Sequence, residues 1–285
     1  MFRLATTLII GSLFASTAIA AKPEGRLGEI AKTQTIIIGH RNEAVPFSFL
    51  DTDGQPKGYM IDLCTRVSAS VQRQLGLEKL DIKWVPVTAE NRFDLVANGK
   101  IDFECGVSTN TISRQKVVDF SLMTWVDGAN FLVKGEERPS DLSVMNGKKI
   151  AVIQGTTTEQ ALKTAMEKLQ ITLTLVPVQE HLDGMKLMAE GKVDAYAADQ
   201  TVLIGMAASV GPKMKVSMAE QNYSFEPYGL VVQRNDADLK QAVNASIAQL
   251  YRSGEILRIY NNWFGQLGKP PQALLIMYGM NALPE

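Results

Sequence analysis

Leu95-Val96-Ala97-Asn98-Gly99-Lys100-Ile101-Asp102-Phe103 and Leu187-Met188-Ala189-Glu190-Gly191-Lys192-Val193-Asp194-Ala195 are two copies of one phrase. Each reads L-x-A-x-G-K, then a β-branched residue, then Asp entering an apolar stretch. A helix that ends on a glycine cap and feeds directly into a strand leaves this pattern, because Gly accepts the left-handed backbone that closes a helix. The surroundings repeat too. Around the first copy the spacing predicts a strand at 35–39, a helix at 59–75, a strand at 82–87, a short helix at 91–97 and a strand at 101–104. In the helix, Met60, Leu63, Cys64, Val67 and Val71 fall at helical spacing before Gly76. Around the second copy it predicts a strand at 149–154, a helix at 158–168, a strand at 173–178, a helix at 182–189 and a strand at 195–198. Two βαβαβ runs of like plan predict an α/β protein with two lobes.

Beyond the second run come a helix at 200–209 and a strand near 215–218. The stretch 228–232 resembles 129–133, and each could carry a crossover between lobes. The expected organisation is therefore a first lobe over 33–126, a second over 127–222, and a return to the first over 223–268. That return holds a long helix at 236–251 and a short one ending Asn262-Trp263-Phe264-Gly265. Residues 269–285 contain Pro270-Pro271 and little periodicity, and are expected to wrap the surface.

The 285 residues carry 29 Lys plus Arg and 30 Asp plus Glu, a net charge of -1, which argues against a polyanion-binding protein and so against nucleic acid. With 46% hydrophobic and 21% charged residues the chain can bury a core. The opening MFRLATTLIIGSLFASTAIAAK has one Arg, an uncharged run from Leu4 to Ala21 and the small-residue pattern Ala18-Ile19-Ala20. It reads as a secretory signal peptide over 1–20, cleaved after Ala20 or Ala21, and places the product in the periplasm. Export changes the meaning of Cys64 and Cys105, since an oxidising compartment lets an even pair cross-link. A disulfide is expected over two buried free thiols. Their spacing fits no zinc pattern, and the only histidines, His40 and His181, lie far apart, so no metal is expected.

In open α/β sheets ligands sit beyond the carboxyl ends of strands, near helix N-termini. That rule selects Gly39-His40-Arg41, Gly106-Val107-Ser108-Thr109-Asn110 with Arg114 beyond it, Gly155-Thr156-Thr157-Thr158, and Asp199. Nucleotide loops, H-E-x-x-H and C-x-x-C are absent from the sequence, so binding without chemistry and without a cofactor is the leading reading.

From Ile36 to Gly265 the chain resembles the type II periplasmic amino-acid-binding proteins of ABC importers, within them the glutamate/aspartate-binding branch. The segments that carry the likeness are Gly39-His40-Arg41 with Val45-Pro46-Phe47-Ser48, Asn91-Arg92, Asp102-Phe103-Glu104-Cys105-Gly106, Ser108-Thr109-Asn110 with Arg114-Gln115, Asp119-Phe120-Ser121, Gly155-Thr156-Thr157 and Trp263-Phe264-Gly265. The resemblance implies a two-lobed type II periplasmic-binding-protein fold with two hinge crossings, closing on an amino acid. It implies that Arg114 and Thr109 hold the ligand α-carboxylate, helped by Thr157, and that Asp199 holds the α-ammonium. Arg41, Arg92 and His181 would surround a side-chain carboxylate. Val107 would line the same site, and at Val107 and Ala89 the branch often has Ser. The implied partners are an acidic amino acid and a membrane permease complex, with the protein a monomer. Two rivals share the fold: a cyclohexadienyl dehydratase using Glu43, Glu90 or Asp199 as general acid, and a receptor for another polar amino acid.

Overall fold

A computed structural model describes residues 22–211 and 214–284. The expected signal peptide at 1–20 lies outside the described residues. The first stretch of chain forms α1 (Gly25–Thr33), β1 (Thr35–His40), the short strands β2 (Glu43–Ala44), β3 (Ser48–Leu50) and β4 (Pro56–Lys57), and α2 (Tyr59–Gln74). It continues through β5 (Asp81–Pro86), α3 (Arg92–Ala97), β6 (Phe103–Glu104) and the long β7 (Val118–Asp127). A second stretch holds β8 (Ala129–Lys134), β9 (Lys149–Ile153), α4 (Thr157–Leu169), β10 (Thr174–Val178), α5 (His181–Ala189), β11 (Ala195–Asp199), α6 (Gln200–Val210) and β12 (Val216–Met218). The chain then returns through β13 (Glu226–Gln233) and closes with α7 (Ala237–Arg252), α8 (Glu255–Phe264) and α9 (Gln272–Asn281).

Two five-stranded sheets result, ordered β5-β1-β6-β13-β7 and β10-β9-β11-β8-β12. In each, three strands run parallel and the remaining pairings are antiparallel. The repeated phrase explains the likeness. Gly99 and Gly191 adopt φ of 62° and 70°, closing α3 and α5 in the left-handed region that an L side chain resists. Beyond each glycine the Asp amide donates to the neighbouring strand, Asp102 to the Ile37 carbonyl at 2.7 Å and Asp194 to the Lys149 carbonyl at 2.8 Å. Each Asp carboxylate then accepts from the same residue's amide, at 2.6 Å from Ile37 and 2.8 Å from Lys149. The phrase is a clamp that registers the third parallel strand against the first.

The chain passes between sheets twice, where β7 meets β8 and where the segment after β12 enters β13. Glu226 and Asp127 are paired across those two crossings. The larger apolar core runs through both lobes, from Leu63 of α2 to Met206 of α6, and within it Trp125 of β7 packs 4.7 Å from Phe264 and 5.0 Å from Phe47, ring centre to ring centre. Trp263, beside it, donates its indole N–H to Asp62 at 2.7 Å. Among the described residues no helix is long and apolar enough to cross a membrane.

Three features depart from expectation. The tail after 269, expected to wrap the surface without periodicity, is helical: α9 buries Leu274, Met277 and Tyr278, and Tyr278 hydrogen-bonds the Tyr59 hydroxyl at 2.9 Å. Its Pro-Pro pair, read as a breaker, is a start signal, with Pro271 as N-cap. Helix α1 precedes the expected lobe boundary at 33 and is tied to the first sheet by an Arg26–Asp102 ion pair at 2.6 Å. The strand expected at 101–104 shortens to two residues because Ile101 and Asp102 complete the clamp.

Cys64 of α2 and Cys105 after β6 form a disulfide, with Cα atoms 6.4 Å apart and a sequence separation of 41. Loss of the bridge by paired Cys→Ala substitution is expected to cost about 4 kcal/mol on the loop-entropy account. Urea unfolding with and without reductant measures it; a midpoint indifferent to the bridge would contradict that account.

Candidate functional site

The facing loops of the two sheets line a narrow pocket between the lobes. Its walls include Arg41, Arg92, Val107, Thr157, His181 and Asp199, six of the eight residues expected from sequence. Thr109 and Arg114 are not in that wall. Thr109 stands behind it, with its hydroxyl 3.1 Å from the Thr157 hydroxyl of the opposite lobe. Arg114 lines a wider, open groove that shares Thr156 and Thr157 with the narrow pocket.

Each wall residue sits at an element's end. Arg41 follows β1; its amide donates to Ser48 at 2.9 Å and its guanidinium reaches across the cleft to Glu180, the N-cap of α5, also at 2.9 Å. Arg92 opens α3, and Arg114 opens a 3-10 turn over Arg114–Lys116. Both guanidinium carbons lie against the Phe93 ring, at 4.8 and 4.9 Å from its centre, so one aromatic face region braces two cations. Burial, and then the charge of Arg114, bring Arg92 down to about 9, which still leaves it charged at neutral pH. Arg114 is lowered by burial as well, opposed by Glu226, Asp199 and Glu104, and it donates to the Thr109 carbonyl at 2.8 Å.

From the other lobe, Thr157 opens α4, capped by the Thr156 hydroxyl accepting from the Glu159 amide at 3.2 Å. The side-chain oxygens of Asp199, at the end of β11, accept from the Thr158 and Tyr228 hydroxyls. His181 opens α5 with Nδ1 2.6 Å from the Tyr196 hydroxyl. It was expected beside a carboxylate together with two arginines. It stands there without a charge, since burial first, then Arg41 and Arg92, push it down to about 3. Tyr196, a phenol held well above its usual range by burial, keeps its proton. Ring and phenol share that one hydrogen bond, which leaves Nε2 buried without a partner in a residue that walls the pocket.

Four polar groups escaped the sequence reading. Glu104 is fully buried beside Arg92 and Arg41, and burial raises its pKa against the pull of those cations. Ser108 and the Gly106 amide lie near enough to favour its charge without hydrogen-bond geometry. Glu226 accepts from Thr109 and Ser224, each at 2.6 Å. Tyr228 and Asp127 complete the set behind Asp199. Glu104 ends the two-residue β6 and Glu226 opens the almost wholly buried β13, so no alternation in the sequence marks either carboxylate as facing inward. Among the described residues no group of three or more His, Cys, Asp or Glu is arranged to hold a metal ion.

Two further contacts bind the lobes together. Glu43 accepts from the Leu182 amide at 3.0 Å, and Gly205 of α6 lies so close to the Val45 carbonyl that an added Cβ would stand 2.3 Å from its oxygen.

This architecture belongs to a known class. Residues 36–266 match the bacterial extracellular solute-binding proteins, family 3, and the chain is a member of that family, with the type II periplasmic-binding-protein fold. It is 33% identical over 279 residues, 98% of this chain and 92% of the other, to the L-glutamate/L-aspartate-binding protein of Pseudomonas aeruginosa. It is 32% identical over 266 residues, 92% and 88% of the two chains, to the glutamate/aspartate import solute-binding protein of Salmonella typhimurium. Among solved structures it resembles an ancestral amino-acid-binding protein described as a precursor of cyclohexadienyl dehydratase, with 27% identity and a TM-score of 0.72 over 85% of this chain and all of that one.

The His181 geometry has a measurable consequence. An unfolded chain takes up the proton near 6.5 and the folded one only near 3, so the group adds stability above about pH 6.5 that is lost progressively as pH falls toward 3. Its ring resonances are expected to stay fixed between about pH 8 and pH 5 in NMR titrations of the folded protein; a midpoint near the ordinary histidine value would refute the buried neutral ring.

Proposed function

We infer that the protein is the extracytoplasmic solute-binding component of an ABC amino-acid importer, that it takes L-glutamate or L-aspartate between its lobes, and that it presents the ligand to a membrane permease complex. One observation carries the reading. Arg41 Nε and Arg92 Nε are buried with no acceptor and His181 Nε2 with no partner, their residues all wall the same space, and the carboxylate beside them, Glu104, makes no hydrogen bond to either arginine. A buried donor left unsatisfied costs about 1–3 kcal/mol, more when charged, so this set calls for an anionic, acceptor-rich guest. The two named relatives bind acidic amino acids, which agrees.

In this reading Arg41 and Arg92 supply charge, and the neutral His181 a single N–H, to the ligand's side-chain carboxylate. Val107 forms an apolar wall there. Arg114, Thr109 and Thr157 take the α-carboxylate, which then lies where the narrow pocket meets the wider groove, at the N-terminus of α4. Asp199 takes the α-ammonium. Closure brings Thr157, His181 and Asp199 over a ligand held first on the other lobe, and the differential contacts drive it. Periplasmic location and a monomeric state belong to the same proposal.

A dehydratase needs a general acid free in the cleft. Glu90 is exposed, Glu43 is engaged with the Leu182 amide, and Asp199 is engaged with two hydroxyls, so binding is the better-supported reading.

Arg114→Ala is expected to abolish binding of every amino acid. Arg92→Ala should weaken glutamate and aspartate by a few kcal/mol while narrowing the gap to glutamine. Calorimetry decides; wild-type glutamate affinity in either variant removes that residue from the site. Gly205→Ala should impede closure without touching the ligand, seen as a scattering radius that no longer shrinks when glutamate is added. Full contraction in that variant would show that the Val45 contact yields.

A further inference from the structure

Three carboxylates meet where the chain crosses between lobes. Asp127 ends β7, Glu226 begins β13 opposite it, and Asp199 ends β11. All three are buried, with Glu226 only 2% exposed. The Tyr228 hydroxyl joins two of them: it donates to Asp199 and lies 3.4 Å from Asp127 Oδ2. A phenol has one proton. With that proton on Asp199, an ionised Asp127 would face the Tyr228 lone pairs, whereas a protonated Asp127 donates to the phenol oxygen and completes the chain Asp127 to Tyr228 to Asp199.

The surrounding groups leave room for such a proton. Asp127 also accepts from the Gly128 and Thr201 amides, Asp199 from Thr158 of α4, and Glu226 from Thr109 and Ser224. Tyr196 and Tyr223 face Asp199 as phenols held neutral by burial. The positive charge felt here comes from Arg114, which acts on Glu226 and Asp199, and from Arg92, which acts on Asp199. Burial and mutual repulsion raise both Asp127 and Asp199 above the usual carboxylate range.

We propose that Asp127 and Asp199, joined through Tyr228 and faced by Glu226, hold a stored proton while the space between the lobes is empty, and release it to solvent when a ligand's α-ammonium is seated against Asp199. One positive charge arrives as ammonium and one leaves as a proton, so the charge around these carboxylates is unchanged, while the ligand's own two carboxylates are met by the arginines. Asp127 and Glu226 are then positioning residues that select for an amino group: a dicarboxylate without it, such as glutarate, brings no charge to replace the proton. The proposal rests on the acidic-amino-acid reading above. A cation displaces the proton from groups whose pKa is raised, so glutamate affinity rises with pH, by up to about tenfold per pH unit in the weakly acidic range, and levels off above it.

The test is titration calorimetry of the exported protein with L-glutamate at about pH 6 in two buffers of different ionisation enthalpy. The expected result is release of close to one proton per glutamate and loss of that release in Asp127→Asn. Tyr228→Phe, which keeps the ring and breaks the chain, should lower the count too. Tight binding with buffer-independent heat, or an unchanged count in Asp127→Asn, overturns the stored proton and leaves the ligand reading intact. If no acidic amino acid binds, the ligand reading fails instead. The stored proton is then judged in the unliganded protein, by an infrared carbonyl band of a protonated carboxyl that must be present in the wild type and missing from Asp127→Asn.

Discussion

Arg41 spans the cleft to Glu180 at 2.9 Å while its Nε finds no acceptor, and it is only 2% exposed. Much of the rest follows from the difficulty of keeping such a cation out of water. Desolvating a guanidinium costs several kcal/mol unless partners surround it. The fold provides partners from both lobes: Glu180 across the cleft, Glu104 beneath, and for Arg92 and Arg114 the face of Phe93. The supply is incomplete, and that incompleteness makes the arrangement a receptor. A site fully satisfied by its own side chains would have no affinity left for a guest.

The lobes themselves were legible because their signal is local. The L-x-A-x-G-K phrase marks a glycine-closed helix and an Asp that clamps two strands, and both features lie within nine residues of sequence. The parallel strands β1, β9 and β11 were likewise visible as short apolar runs. Helix α9 was not, because Leu274, Leu275, Ile276 and Met277 are consecutive and show no 3.6-residue alternation; its helicity is imposed by packing on β7 and α7. Short strands β2 to β4 were missed for a similar reason, since two or three residues cannot establish a period.

The site divides in the same way. Residues at strand ends and helix starts, such as Arg41, Thr157 and Asp199, could be picked out by rule, because topology alone sends those positions to the cleft; Arg92 came only from the family resemblance. Charge state could not. The sequence groups His181 with Arg41 and Arg92 but is silent on its proton, which depends on how deeply the ring is buried beside them. Asp127 and Glu226 are about a hundred positions apart, and only the antiparallel pairing of the two crossings makes them neighbours. Val107 adds hydrocarbon to the pocket wall, so the polar groups there come from its other residues.

Cys105 follows Glu104 directly and precedes Val107 by two residues, and its bond to Cys64 pins this strip to α2. The cross-link therefore does more than shorten the unfolded chain. It fastens one strip of the cleft wall to a helix of the core, so that an oxidised chain holds Glu104 and Val107 more firmly than a reduced one.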